Sequence, residues 1–138
     1  MTAYQARHAS FQERGVRVIT VSVDSPEATA RLRAELGLEF TMLCDPERAL
    51  LRAWSLLNPR ERGGIAFPAT FVLGRGGAIV FRSLDRLTTR VDPGPVLEFL
   101  ARWVDDPGLR DENDARALQR PGAKDASLAL VRKWFGRR

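Results

Sequence analysis

One hundred and thirty-eight residues, 44% apolar and 28% charged, suffice for one domain with its own core and exclude a disordered or collagen-like chain. No run approaches the roughly 18 apolar residues of a membrane helix, and no basic–apolar–small leader pattern opens the chain, so a cytoplasmic protein is expected. The single cysteine, Cys44, excludes an intramolecular disulfide, and the single histidine, His8, excludes a zinc site built from Cys and His within one chain.

The formal net charge of +5 is local. Arg120, Lys124, Arg132, Lys133, Arg137 and Arg138 stand against Asp125 alone, and the charges before Arg120 balance. The high pI therefore describes a tail and not the domain. No nucleic-acid or membrane partner is expected from such a body.

In chain order, residues 2–14 (TAYQARHASFQER) read as a helix with a modest apolar face from Tyr4 and Phe11, stopped by Gly15. Residues 16–24 (VRVITVSVD) are a β-branched run typical of a strand buried on both faces. Asp24-Ser25-Pro26-Glu27 starts a helix over 26–36, closed by Gly37. Residues 39–43 (EFTML) form a short strand, and Cys44-Asp45-Pro46-Glu47 starts a helix to about Trp54. Residues 57–67 are a polar, Gly-rich loop. ATFVL (69–73), a GRGG turn and AIVFRSL (78–84) make a hairpin. Residues 93–104 form a last helix with Val96, Leu97, Leu100, Trp103 and Val104 as its apolar stripe. Strands alternating with helices, followed by a hairpin, predict an α/β domain with a mixed sheet over 1–104. Residues 105–127 read as a polar linker. Residues 128–138 (LALVRKWFGRR) read as a basic amphipathic tail that docks on the domain or stays disordered, with attachment to an anionic surface as the weaker reading.

Three stretches together resemble the peroxiredoxin family, the alkyl hydroperoxide reductase and thiol-specific antioxidant group: RGVRVITVSVDSPEATARL (14–32), LGLEFTMLCDPERALLRAWSLLNP (36–59) and GGIAFPATFVLGRGGAIVFR (63–82). The resemblance covers roughly residues 4–104. It implies a thioredoxin-like three-layer α/β/α sandwich and reduction of hydroperoxides by a cysteine thiolate, with a thioredoxin-type reductant. The family's nucleophile stands in a Thr-x-x-Cys motif at a helix start, where backbone N–H groups and the helix dipole favour the thiolate. The helix that matches it is 2–14; by the family's spacing the Cys would fall several residues before Met1, and Thr2-Ala3-Tyr4-Gln5, which has the Thr but Gln where Cys would stand, is a coincidental likeness. The expectation is an N-terminally truncated member that lacks the peroxidatic cysteine and the strands before it. One of those strands would lie between 16–23 and 69–73. Three outcomes are open: direct pairing of 16–23 with 69–73, completion of the sheet by a second copy or a partner chain, or an incomplete fold with exposed edges.

Single residues are weighed on the same terms. Cys44 reads first as a half-buried strand-end residue, and only weakly as a redox thiol, because the neighbouring Asp45 carboxylate disfavours a thiolate. Pro68 resembles the cis-proline before the central strand of thioredoxin-like proteins, and it stands where many peroxiredoxins carry a peroxide-binding Arg. Gly63-Gly64 and Gly74-Arg75-Gly76-Gly77 are turns and not phosphate loops. His8 reads as a surface residue, and Asp24 and Asp45 as helix caps. No G-x-S-x-G elbow surrounds Ser10, Ser22, Ser25 or Ser55. No metal, nucleotide or flavin is implied.

Overall fold

The computed structural model describes residues 1–61, 63–85 and 91–108. They fall into two compact units: residues 1–66 with 92–101, and residues 67–91 with those from Arg102 onward. The linker beyond Gly108 and the basic segment 128–138 lie outside the described residues.

The first unit opens with two short helices, α1 (Thr2–Ala6) and α2 (His8–Glu13), where the sequence predicts one. The break is at Arg7, whose N–H bonds to the Tyr4 carbonyl, three residues back, at 3.2 Å. Tyr4, His8 and Phe11 nevertheless share one face by their four- and three-residue spacing. The Tyr4 and Phe11 rings stack with centroids 5.8 Å apart. This spacing corrects the reading of His8, which is buried, 8% exposed, with its ring edge-on to Phe40 at 6.0 Å.

Helices α2, α3 (Pro26–Glu35) and α4 (Ala49–Ala53) stop by the same device. After α2, the N–H of Val16 bonds to Phe11 O at 2.9 Å and that of Gly15 to Gln12 O at 2.8 Å. After α3 the pairs are Leu38 to Arg33 O at 3.0 Å and Gly37 to Ala34 O at 3.3 Å. This Schellman closure needs a left-handed residue, which Gly15 and Gly37 supply at φ 67° and 58°. After α4 the same bonds form around Ser55, a non-glycine residue at φ 55°.

Strands β1 (Ile19–Ser22) and β2 (Thr41–Cys44) pair in parallel, from Ile19 opposite Thr41 to Ser22 opposite Cys44, with α3 between them in sequence. The predicted strand was longer and buried on both faces. Instead Ile19 is 52% and Leu43 47% exposed. A parallel strand is covered on both faces only inside a wider sheet, and β1 has a single hydrogen-bonded neighbour among the described residues. The predicted helix after Cys44 is also shorter: residues 46–47 form a turn, and α4 begins only at Ala49. Within the predicted loop, β3 (Leu57–Asn58) and β4 (Ile65–Ala66) make a small antiparallel ladder. The buried apolar residues of this unit are Phe11, Leu38, Phe40, Leu51, Val96, Leu97, Phe99 and Leu100. The last four lie on α5 (Pro93–Asp105), where Phe99 joins the predicted stripe and Val104 leaves it at 64% exposure.

In the second unit, β5 (Ala69–Leu73) and β6 (Ile79–Leu84) form the predicted hairpin. Ala69 pairs with Leu84 and Val72 with Phe81, and a bulge after Val72 brings Leu73 opposite Ile79. Val72 and Val80 are buried. The Asp85 N–H bonds to the Pro68 carbonyl at 2.8 Å and closes the ladder's open end.

Parallel and antiparallel ladders are thus both present, but in three separate two-stranded sheets among the described residues, and not in one mixed sheet. Direct pairing of 16–23 with 69–73 is not among them. Each strand takes the partner with the cheaper chain closure: β5 pairs across a tight turn and β1 across one helix.

Candidate functional site

The sequence-predicted redox candidate, Cys44, is the last residue of β2, opposite Ser22 of β1. Its side chain is half-buried, and its Sγ–H donates to Thr29 Oγ1 at 3.3 Å. Thr29 lies on α3 and is 6% exposed. The thiol therefore rests on a neutral hydroxyl. It borders an open, mainly apolar groove of about 690 Å³ whose lining includes Pro26, Thr29, Arg33, Leu38 and Met42.

The residue after it takes the donors that a thiolate would need. Asp45 Oδ1 accepts from the Ala49 N–H at 2.8 Å and Oδ2 from the Leu51 N–H at 3.0 Å, both in the first turn of α4. Desolvation pushes the Asp45 carboxyl up. The N–H bonds of Leu51, Leu50 and Ala49 outweigh it, with help from the Arg52 charge, and hold it below the usual carboxylate range. Asp45 is thus the carboxylate that serves α4. Asp24 does not serve α3 in the same way, which corrects the sequence reading. The cap of α3 is Ser25, whose Oγ accepts from the Ala28 N–H at 3.2 Å, while the Asp24 carboxylate takes the Ser22 hydroxyl.

Two polar clusters went unread in the sequence. Glu39 gathers Gln5 and His8: Gln5 Nε2 donates to Glu39 Oε2 at 3.1 Å, His8 Nδ1 lies 3.2 Å from the same oxygen, and the Glu39 N–H donates to Gln5 Oε1 at 2.9 Å. The His8 bond, then the Gln5 bond, hold the Glu39 carboxyl low against a smaller desolvation effect. The signal was the alignment of His8 with Tyr4 and Phe11. Arg48, at φ 60°, ties the loop before β4 to the start of α4, donating from Nε to Gly64 O and from Nη1 to Pro46 O, each at 2.8 Å.

Pro68 lies in the second unit, buried at the start of β5. Its peptide bond is trans, which corrects the expected cis form. Trans is the favoured X–Pro isomer by about 0.5–1 kcal/mol, and the Pro68 carbonyl is fixed by the Asp85 N–H at the end of the hairpin ladder. Cys44 and Pro68 belong to different units.

The AhpC/TSA family model matches residues 1–82. The chain belongs to the AhpC/TSA family. A Mycobacterium tuberculosis protein that carries the peroxiredoxin name provisionally is 35% identical over 74 residues, which are 51% of this chain and 47% of that protein. The chain thus spans about half the length of the curated relatives it matches. Mycobacterium tuberculosis AhpC superposes with a TM-score of 0.66 at 29% identity, over 80% of this chain and 62% of that one. Enterococcus faecalis AhpC gives 0.66 at 25% identity, over 80% and 68%. The mitochondrial 2-Cys peroxiredoxin of Plasmodium falciparum, at 19% identity and a TM-score of 0.67 over 78% and 67%, shares the fold. The α/β architecture is therefore the thioredoxin-like fold of the AhpC/TSA proteins. Among the described residues, no helix is long and apolar enough to cross a membrane.

Proposed function

We propose that this chain is an AhpC/TSA-family domain with little or no thiol-peroxidase activity of its own. The family's chemistry is hydroperoxide reduction by a cysteine thiolate, with a thioredoxin-type reductant and an antioxidant role; the proposed location of this chain is the cytoplasm. One observation carries the reading: the only thiol rests on the Thr29 hydroxyl, while the next residue, Asp45, holds the N–H donors at the start of α4, the helix that follows it in the chain. A peroxidatic thiolate needs those donors, or a cation, for itself. The functional part of the chain is residues 1–104, and 105–138 is its tail.

The test is peroxide turnover with a dithiol or thioredoxin-type reductant, on the full chain and on Cys44→Ser. Both are expected to run at the rate of the reductant alone. Turnover well above that rate, lost in Cys44→Ser, overturns the reading.

A second reading is favoured by the exposure of Ile19 and Leu43 and by the single ladder of β1. In it the domain is a non-catalytic binding module that completes its sheet with another chain, as a homodimer or with a partner. Its mark is a redox-independent complex in light scattering.

A further inference from the structure

We infer that the groove between α3 and β2 is a binding site for a fatty-acid anion, a monomeric aliphatic carboxylate whose head group pairs with Arg33 and whose alkyl chain lies toward Cys44. No step consumes the thiol, so the site is independent of peroxide turnover. The groove is lined from one continuous stretch of chain, Pro26 to Cys44: α3, the turn at Gly37, and β2. Its walls follow from the spacing. Pro26, Ala30 and Ala34 recur every four residues and so share one face of α3. The facing wall is Leu38, 4% exposed, and Met42, which points to the same side of β2 as Cys44, two residues on. Side chains as small as alanine leave the space of about 690 Å³, and that size with an apolar lining suits a small apolar ligand. The helix side of the groove, Pro26 to Gly37, runs for about 16 Å at the helical rise per residue, which accommodates an extended alkyl chain.

The charges select the head group. Arg33 and Glu39 both line the groove, but they are committed differently. Glu39 is already engaged by Gln5 and His8, which take its Oε2. Arg33 is clasped to the turn: its carbonyl accepts from the Leu38 N–H at 3.0 Å, and its Nε donates to the Leu38 carbonyl at 3.1 Å. The clasp fixes the guanidinium at the Gly37 end of the groove. Among the described residues no carboxylate pairs with Arg33, so its two terminal nitrogens keep their donors for a ligand. A guanidinium held in this way matches a carboxylate bidentately. A carboxylate seated there directs its chain along the alanine face toward Thr29 and Cys44, in the first half of α3. A cationic amphiphile meets the same walls but not this partner.

Calorimetric titration of the full chain with dodecanoate below its micelle concentration, with alkylation of Cys44 by N-ethylmaleimide in the same samples, tests this. Dodecanoate is expected to bind once per chain and to slow alkylation in step with occupancy. Dodecyltrimethylammonium, with the same chain and the opposite charge, binds about tenfold more weakly or not at all. Arg33→Gln weakens dodecanoate about tenfold and does not weaken the cation. Ala34→Phe fills the groove and abolishes dodecanoate binding. Circular dichroism melts identify any variant that fails to fold, and Ala30→Leu then takes the place of Ala34→Phe. Absence of dodecanoate binding, binding that leaves Cys44 alkylation unchanged, or binding indifferent to the groove-filling variant overturns the site. Binding lost on filling the groove but indifferent to Arg33→Gln overturns the carboxylate as its ligand, and the inference with it.

Discussion

The two strand pairs around Ile19 and Val72 are built from similar residues and end in different states. β5 and β6 are joined by a tight turn, pair antiparallel, and bury Val72 and Val80, and their exposed residues are confined to Leu73 and Ile79 near the turn. β1 and β2 are joined through α3, pair in parallel, and contain no fully buried residue in either strand. A hairpin is complete as a local object, because a short turn brings its strands together and one covered face is enough. A parallel pair is not, because both its faces and both its edges need neighbours. The chain thus carries one finished pair and one that still has surface to cover.

Core truncations sharpen this contrast. Phe11 is 2% exposed in the first unit, and Phe11→Ala is expected to cost about 3–5 kcal/mol in denaturant melts. Val80 is 3% exposed in the hairpin, and Val80→Ala is expected to cost about 2 kcal/mol. Hydrogen exchange then separates the regions: Phe11→Ala speeds the amides of Ile19–Ser22 more than those of Val72 and Phe81. Equal acceleration at both sites sinks the view that the parallel pair is the less self-sufficient of the two.

The legible parts of this chain were those set by local chemistry. The hairpin was placed by its glycine turn and β-branched flanks, α3 by Ser25 and Pro26 at its start and Gly37 at its end, and α5 by its apolar stripe. What was misread depends on residues far apart in sequence. His8 shares a helical face with Tyr4 and Phe11, but the residues that cover it, Phe40 and Glu39, lie about 30 positions away. The half-exposed faces of β1 and β2 could not be read from their valines, since burial of a strand is decided by what lies beside it. The trans bond of Pro68 is the one an X–Pro dipeptide favours by itself, and the cis expectation came from the resemblance. Cys44 was readable as a strand-end residue, but its Thr29 partner sits 15 positions away on α3.

A smaller effect concerns acid stability. The Asp45 and Glu39 carboxyls both lie below their ordinary values in the folded chain. A depressed carboxyl contributes stability that is full above the unfolded-state value and is lost as the pH falls through the folded one. Asp45→Asn is therefore expected to lower the melting temperature near neutral pH and to flatten its decline below about pH 4, with Glu39→Gln doing the same more weakly. The unchanged hairpin provides the comparison within the same samples. If Asp45→Asn leaves the acid limb as steep as in the native chain, the N–H bonds at α4 do not set it.

The smallest expected change is a gain. Ser55 occupies the left-handed position after α4 at φ 55°, the place that Gly15 and Gly37 fill after α2 and α3. The Leu56 N–H reaches Leu51 O at 2.8 Å and the Ser55 N–H reaches Arg52 O at 3.1 Å, so the closure already holds with a side chain present. A β-carbon in that conformation costs about 1–2 kcal/mol, while glycine returns part of the gain through a freer unfolded chain. Ser55→Gly is accordingly expected to stabilise by about 0.5–1 kcal/mol in denaturant melts, and Gly15→Ala and Gly37→Ala to destabilise. Exchange at the Leu56 amide is expected to slow with it, placing the gain at the end of α4. A Ser55→Gly chain less stable than the native one would mean that the serine hydroxyl contributes more at that helix end than the left-handed backbone costs.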